Sequence, residues 1–414
     1  MLMRGVISWL AVTAACTACS GGSAAHGDPA TGGAASAGAA GSSGTATAGA
    51  SLGGGPGGGA GSAGTASGPS AGEDGPLPNG GRQYHGIANI VDPALVQVIE
   101  AVLRTAEPAT DYAPVAQAFY ALYPDEYDFL YFFLDHQLDD AEAEGAFNVV
   151  NRPAISGTGI DAPTALSKFG SNGRLKGSSG FQAAMAGDFP ALAHETAHYW
   201  ANYLDPALGF GHDNQVDYGP HWGLTGVYGQ LGGFDPSSVV CSSPEGAKPP
   251  NCEVDPDTGY SIYQTAPFAP NTNTFLGIPY APLELYLMGL VPKSMVPTIP
   301  VIENGNVFVL LSNAALLRAH GVGQITIDDI VARHGTRAPA SEAEKHFSSA
   351  FVLVTASPAP DAALDPIVEF AQLFGGTAPA NSGAMSFADH TGGLATMTTA
   401  LGRRRTSSDP APAH

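Results

Sequence analysis

The sequence predicts an α+β fold: one helix carrying two histidines under a small mixed sheet, with an α/β portion at the C-terminal end. Three observations predict it. Short apolar and aromatic runs are bounded by Pro, Gly and Asp, as buried strands are. Among them stands an Ala/Leu-rich segment, residues 189–204, punctuated like a helix. After Pro292, strand-like and helix-like segments alternate.

The chain opens with an export signal over residues 1–19, in which Arg4 precedes the apolar stretch Val6 to Ala15 and small residues follow. Cys19 heads Cys19-Ser20-Gly21-Gly22, which resembles the lipobox of bacterial lipoproteins, where a Cys becomes the acylated first residue of the mature chain. Cys16 is the second position for such an anchor, and a cleaved signal that releases a secreted protein is the alternative. Residues 20–80 are mostly Gly, Ala, Ser and Thr, too poor in apolar surface to offset the entropy of ordering, and are expected to form a flexible linker.

Against 37 Asp and Glu stand 16 Lys and Arg, a formal charge of −21. That leaves no cationic surplus for phosphates, so nucleic acid is excluded as a partner. No apolar run reaches the roughly 18 residues of a membrane helix, so the membrane is reached only through a lipid anchor. The expected location is exported: the cell envelope, or the outside.

Residues 81–403 are expected to form the folded domain, with 404–414 a disordered tail. Asp92-Pro93 followed by Leu95, Val96, Ile99, Val102 and Leu103 is a capped amphipathic helix. Ala113 to Leu122 is a second helix. Tyr127 to Leu134, rich in aromatic residues, is a buried strand. Gly145 to Asn151 is another, and a short strand is expected near Phe181.

In the 189–204 helix, His194 and His198 are four residues apart, so they project from one face a turn apart and can ligate one metal ion. Glu195 stands about 100° around the helix, placed to address a water on that metal without being a ligand. This His-Glu-x-x-His pattern is the arrangement of zinc peptidases, in which the carboxylate is the general base. A catalytic zinc takes three protein ligands and keeps one open position. His221, in Gly219-Pro220-His221-Trp222-Gly223, is the first choice for the third, on a turn that Trp222 can pack down. His212, Asp217 and Glu284 are the alternatives. Glu284 lies in the apolar, helix-like Pro282 to Leu290, where a buried acid needs a partner; a metal, an arginine, or a ligating histidine whose orientation it fixes would each serve.

These residues carry a resemblance. His194-Glu195-Thr196-Ala197-His198, then His221-Trp222, then Tyr280-Ala281-Pro282-Leu283-Glu284-Leu285-Tyr286-Leu287-Met288-Gly289-Leu290 look like a group of exported bacterial zincin-type metallopeptidases. The aromatic strand near Tyr127 and Thr391 to Thr396 are similar as well, so the likeness spans about residues 85–402. It implies a zincin-like fold, a bound Zn2+, and a hydrolase of peptide or protein substrates with Glu195 as general base. Relatives often carry a Met-containing turn after His-Trp; here Thr225 to Gly233 has none, and Leu231 can fill the floor instead. A non-catalytic surface lipoprotein, using the same scaffold for binding or adhesion, is the alternative reading.

Cys241 and Cys252 lie close together in a Pro/Ser/Gly-rich loop and, in an oxidising compartment, are expected to form a disulfide. Such a loop closure contributes about 3 kcal/mol. Strands at Val307–Leu311 and Ala350–Val354, with helices at Ile325–His334 and Leu364–Phe374, are read as the second half of the same unit. His320, His334, His346 and His390 are read as structural or solvated.

Overall fold

The structure, a computed structural model, describes residues 72–104, 111–138, 155–159, 166–183, 191–201, 204–210, 221–269, 272, 277–310, 314–340, 345–377, 385–409 and 411, with the backbone of 145–149. The export segment, Cys16, Cys19 and most of the linker lie outside the described residues. The architecture is mixed α+β.

Alternation along one aromatic run decides the layers. The strand Phe129–Phe133 is buried at every position. Phe129, Tyr131 and Phe133 pack on one face of the sheet, and Leu130, Phe132 and Leu134 on the other, because successive side chains of a strand point to opposite sides. A strand covered on both faces has no solvent side, so its sequence shows no polar alternation.

This strand lies inside an eight-stranded sheet. From one edge to the other the order is Gly75–Pro76, Arg82–Tyr84, Ile87–Val91, His346–Thr355, Phe129–Phe133, Gly177–Phe181 and Gly145–Val149, and Thr396–Thr398 pairs with the start of His346–Thr355. The pairings at the centre are parallel, and both outer ends turn antiparallel. His346–Thr355 separates two strands from the first third of the chain, so the C-terminal portion completes the sheet.

Helices Pro93–Arg104 and Ala113–Leu122 cover the Phe132 face. Asp92 Oδ1 accepts from Ala94 N at 2.8 Å, capping the first of them. The opposite face carries Asp361–Phe374, Pro282–Met288 and the histidine helix. A smaller sheet of Val240–Cys241, Ser261–Thr265, Ala315–Ala319 and Asn306–Leu310 has its own core around Phe234, Tyr263 and Leu317. The Cys241–Cys252 disulfide sits on this smaller sheet.

Some boundaries differ from expectation. The last residues of the stretch read as linker join the fold: Gly72 N donates to Leu401 O at 2.8 Å, and Gly75–Pro76 pairs with Arg82 and Gln83. Backbone pairing needs no apolar side chains, so composition does not announce it. The tail is held as well, with Arg405 N donating to Leu122 O at 2.8 Å and Arg403 paired to Asp409 at 2.6 Å. The histidine helix is shorter than expected, Leu192–Ala197. Beyond it Tyr199 N and Trp200 N bond to Thr196 O and Ala197 O, three residues back, the tighter 3₁₀ pattern. Residues 184–190, which include the expected start of that helix, lie outside the described residues.

Phe132 is fully buried in the central strand. Phe132→Ala is expected to cost about 3–5 kcal/mol, read as a lower urea midpoint at unchanged slope. A loss below about 1 kcal/mol would contradict a strand covered on both faces.

Candidate metal centre

His194 and His198 come from the short helix and its C-cap; His198 keeps helical angles, φ −59° and ψ −19°, so the one-turn spacing survives the early end of the helix. His221 arrives from the loop that follows. His198 meets the other two rings edge to face, while His194 and His221 stack at 28°; His194 Nε2 lies 3.1 Å from His198 Nε2 and 3.3 Å from His221 Nε2. All three ligand atoms lie within 4.8 Å of one another, and the residues are buried. Two nitrogens bound at about 2.05 Å in tetrahedral directions stand about 3.3 Å apart. The cluster therefore has the spacing of a metal site, and among the described residues it is the one group of His, Cys, Asp and Glu side chains so gathered.

The protonation states fit. Burial and the neighbouring His221 push the pKa of His194 down to about 3, which leaves a neutral ring with a lone pair to give. Its Nδ1–H donates to Gln230 O at 2.9 Å, so the ligating nitrogen is Nε2, the one that faces the other two rings. Glu195 is buried, 3% exposed, and its Oε2 has no hydrogen-bond partner. Burial alone pushes its pKa up to about 8. A lone carboxylate in such a place awaits a cation or a water beside it.

The support around the cluster is built from three other segments. Tyr131, on the central strand, donates its hydroxyl to Thr196 Oγ1 at 2.6 Å, while Thr196 Oγ1 donates to Leu192 O. Tyr280 OH donates to Ala193 O at 2.7 Å, tying the histidine helix to the segment before Pro282. Gln230 Nε2 donates to Ile278 O at 2.5 Å.

Glu284 does not join the cluster. Its carboxylate, fully buried, accepts from Trp222 Nε1 (2.8 Å) and Leu231 N (2.9 Å) on Oε1, and from Ala281 N (2.8 Å) and Gln230 N (3.0 Å) on Oε2. The expected partnership with a ligating histidine is replaced by one with main-chain amides and an indole, because the loop of Gln230 comes between. Burial raises its pKa and these donors pull it back. Gly229 makes the close approach possible: a Cβ there would stand 2.3 Å from Glu284 Oε2. Leu231 is fully buried, and its main-chain N–H is one of the donors to this carboxylate.

His212 and Asp217 lie outside the described residues. His334 and His390 serve structure: Asp205 N donates to His334 Nε2 at 2.9 Å, and His390 Nδ1 donates to Ile278 O at 3.2 Å. Sequence reasoning missed Gln230, whose contribution is a main-chain carbonyl, and Arg337. The buried Arg337 donates to Leu287 O and Met288 O, each at 3.1 Å, closing the end of Pro282–Met288. A lone Arg between Thr336 and Ala338 carries no pattern that points to this.

Compared with known proteins, the chain matches no family model, no curated protein and no solved structure.

The Glu195 shift sets a pH dependence for the metal-free protein. Between its ordinary 4.5 and about 8 the folded state holds a proton that the unfolded chain has lost, so this group's contribution to stability falls as pH rises through that window. His194, lowered from 6.5 to about 3, acts with the opposite sign in its own window. The difference between wild type and Glu195→Gln isolates the carboxylate. In chelator-treated samples the variant is expected to gain thermal stability over wild type steadily from pH 5 to pH 8; a constant difference would contradict the burial-driven shift.

Proposed function

We propose that the chain is a zinc-dependent hydrolase of zincin-like build that cleaves peptide bonds. The observation that carries this reading is the buried, unpartnered Glu195 oxygen, adjacent in the chain to a buried three-imidazole cluster with the spacing of a tetrahedral site. A site built for structure alone gains nothing from an unsatisfied acid at its border.

His194, His198 and His221 would hold the ion. Zinc bound there would supply Lewis acidity toward a carbonyl oxygen and lower the pKa of water toward 7. Glu195 takes the proton of the attacking water and delivers it to the leaving nitrogen as the C–N bond breaks, which yields a carboxylic acid and an amine. The Gln230 carbonyl keeps His194 in the tautomer that ligates.

A peptide substrate is favoured by the edge of the main sheet. Gly145–Val149 ends the strand order and runs beside the histidine helix, so an extended chain can add there through main-chain hydrogen bonds. The Cys241–Cys252 disulfide accords with an exported protein. No helix among the described residues is long and apolar enough to cross a membrane.

Glu195→Gln is expected to retain one equivalent of zinc and to lose roughly 10²–10⁴-fold in turnover of a mixed peptide library. Chelation should abolish wild-type cleavage and added Zn2+ restore it. Zinc-loaded variant protein with wild-type turnover, or wild-type protein that takes up no transition metal, would overturn the proposal.

A further inference from the structure

We infer that Glu284 is the positioning residue that assembles the metal centre before any ion arrives, by holding the two loop segments that place His221 and orient His194. The inference rests on the proposed metal site and adds a role for a residue outside it.

Two chains of contact converge on this one carboxylate. The first runs from Glu284 Oε1 to the indole Nε1 of Trp222, the residue that follows His221. Trp222 is buried, and its own N–H donates to Leu231 O at 2.8 Å. The second runs from Glu284 to the amides of Gln230 and Leu231, and from Gln230 O to His194 Nδ1. The same side chain thus fixes the backbone beside one ligand and the carbonyl that sets the tautomer of another. Only His198, carried by the helix itself, lies off these two paths.

The hydrogen-bond chemistry makes an acid necessary at this position. Four donors face the two oxygens, two to each, and all four positions are acceptors only in a carboxylate. A glutamine would turn its NH₂ toward two N–H groups, so two of the four contacts become repulsive. The carboxylate also sits at the first turn of Pro282–Met288, where its contact with Ala281 N ties it to its own helix. The loop is thereby referenced to a rigid element. The bracing thus comes from outside the three rings, through the backbone on either side of the Gln230 loop.

The test uses the full chain, prepared metal-free, with Zn2+ affinity measured by chelator competition and geometry read from the visible bands of the Co2+-loaded protein. Glu284→Gln is expected to weaken Zn2+ binding roughly 10–100-fold and to alter the Co2+ spectrum, while near-ultraviolet circular dichroism of the metal-free protein still reports a packed core. If that variant does not fold, Trp222→Phe, which removes one donor and keeps the carboxylate, decides: weaker binding and an altered Co2+ spectrum support the inference. Wild-type affinity and spectrum in a folded Glu284→Gln, or in Trp222→Phe where that variant decides, would overturn it while leaving the proposed function intact. A wild-type chain that binds neither ion would overturn the proposed function and this role together.

Discussion

Three buried nitrogen lone pairs aimed at one point are a costly arrangement, and most of the structure around them follows from holding it. Each of His194, His198 and His221 is at most 4% exposed, so bulk water does not solvate the cluster. Burial also removes the easiest relief, protonation, as the lowered pKa of His194 records. The rings are therefore restrained from outside: by the helix and its cap, by a main-chain carbonyl, and by an indole next to the loop histidine. A cation converts the arrangement from costly to favourable. The neighbouring Glu195 obeys the same logic with opposite sign, since its raised pKa falls once positive charge stands nearby.

The restraints reach back to the centre of the sheet. Tyr131 faces the histidine side of the sheet because it is an odd member of the alternating run Phe129–Phe133, and its hydroxyl meets Thr196, one of the two residues between Glu195 and His198. A one-residue slip in the register of that strand would turn Tyr131 to the opposite face and remove the contact. The pairing of Phe129–Phe133 with His346–Thr355 on one side and Gly177–Phe181 on the other fixes the register twice. Sheet topology, far from the rings in sequence, is thus a term in their placement.

What was legible in the sequence follows the range of the interactions. The His194–Glu195–His198 spacing is local, set by a single helical turn, and could be read directly. His221 required a choice among four residues, because which loop side chain returns to a helix depends on packing across the fold; the Gly-Pro before it and the Trp after it were the usable signal. The burial of Phe129–Phe133 was legible from its dense apolar run, and the helices at Pro93–Arg104, Ala113–Leu122 and, from Leu364 onward, Asp361–Phe374 from their apolar spacing. Glu284 was legible as a buried acid in need of partners, yet its partners are backbone amides, which have no side-chain signature. Gln230 was invisible for the same reason. The ends of the fold were misjudged where order comes from backbone pairing at Gly75–Pro76 and, at the tail, from the Arg405 amide bond to Leu122 O and the Arg403–Asp409 ion pair, none of which alters hydrophobic pattern.

The segment Pro282–Met288 shows how precision is passed between distant residues. It is only two turns long, too short to hold its own shape. Both of its ends are nevertheless pinned. At the start, Glu284 receives Ala281 N together with three donors from the neighbouring loop. At the finish, Arg337 takes the carbonyls of Leu287 and Met288, and Gly289 turns the chain at φ 77°, where a Cβ would stand 2.6 Å from the Arg337 guanidinium carbon. An acid at the amino end and a base at the carboxyl end both oppose the charge that the helix presents there. A short helix clamped in this way moves as one piece. Any shift of its carboxylate would have to displace a buried guanidinium at one end and the Tyr280 link to Ala193 at the other, so the loop that depends on Glu284 inherits the rigidity of the core.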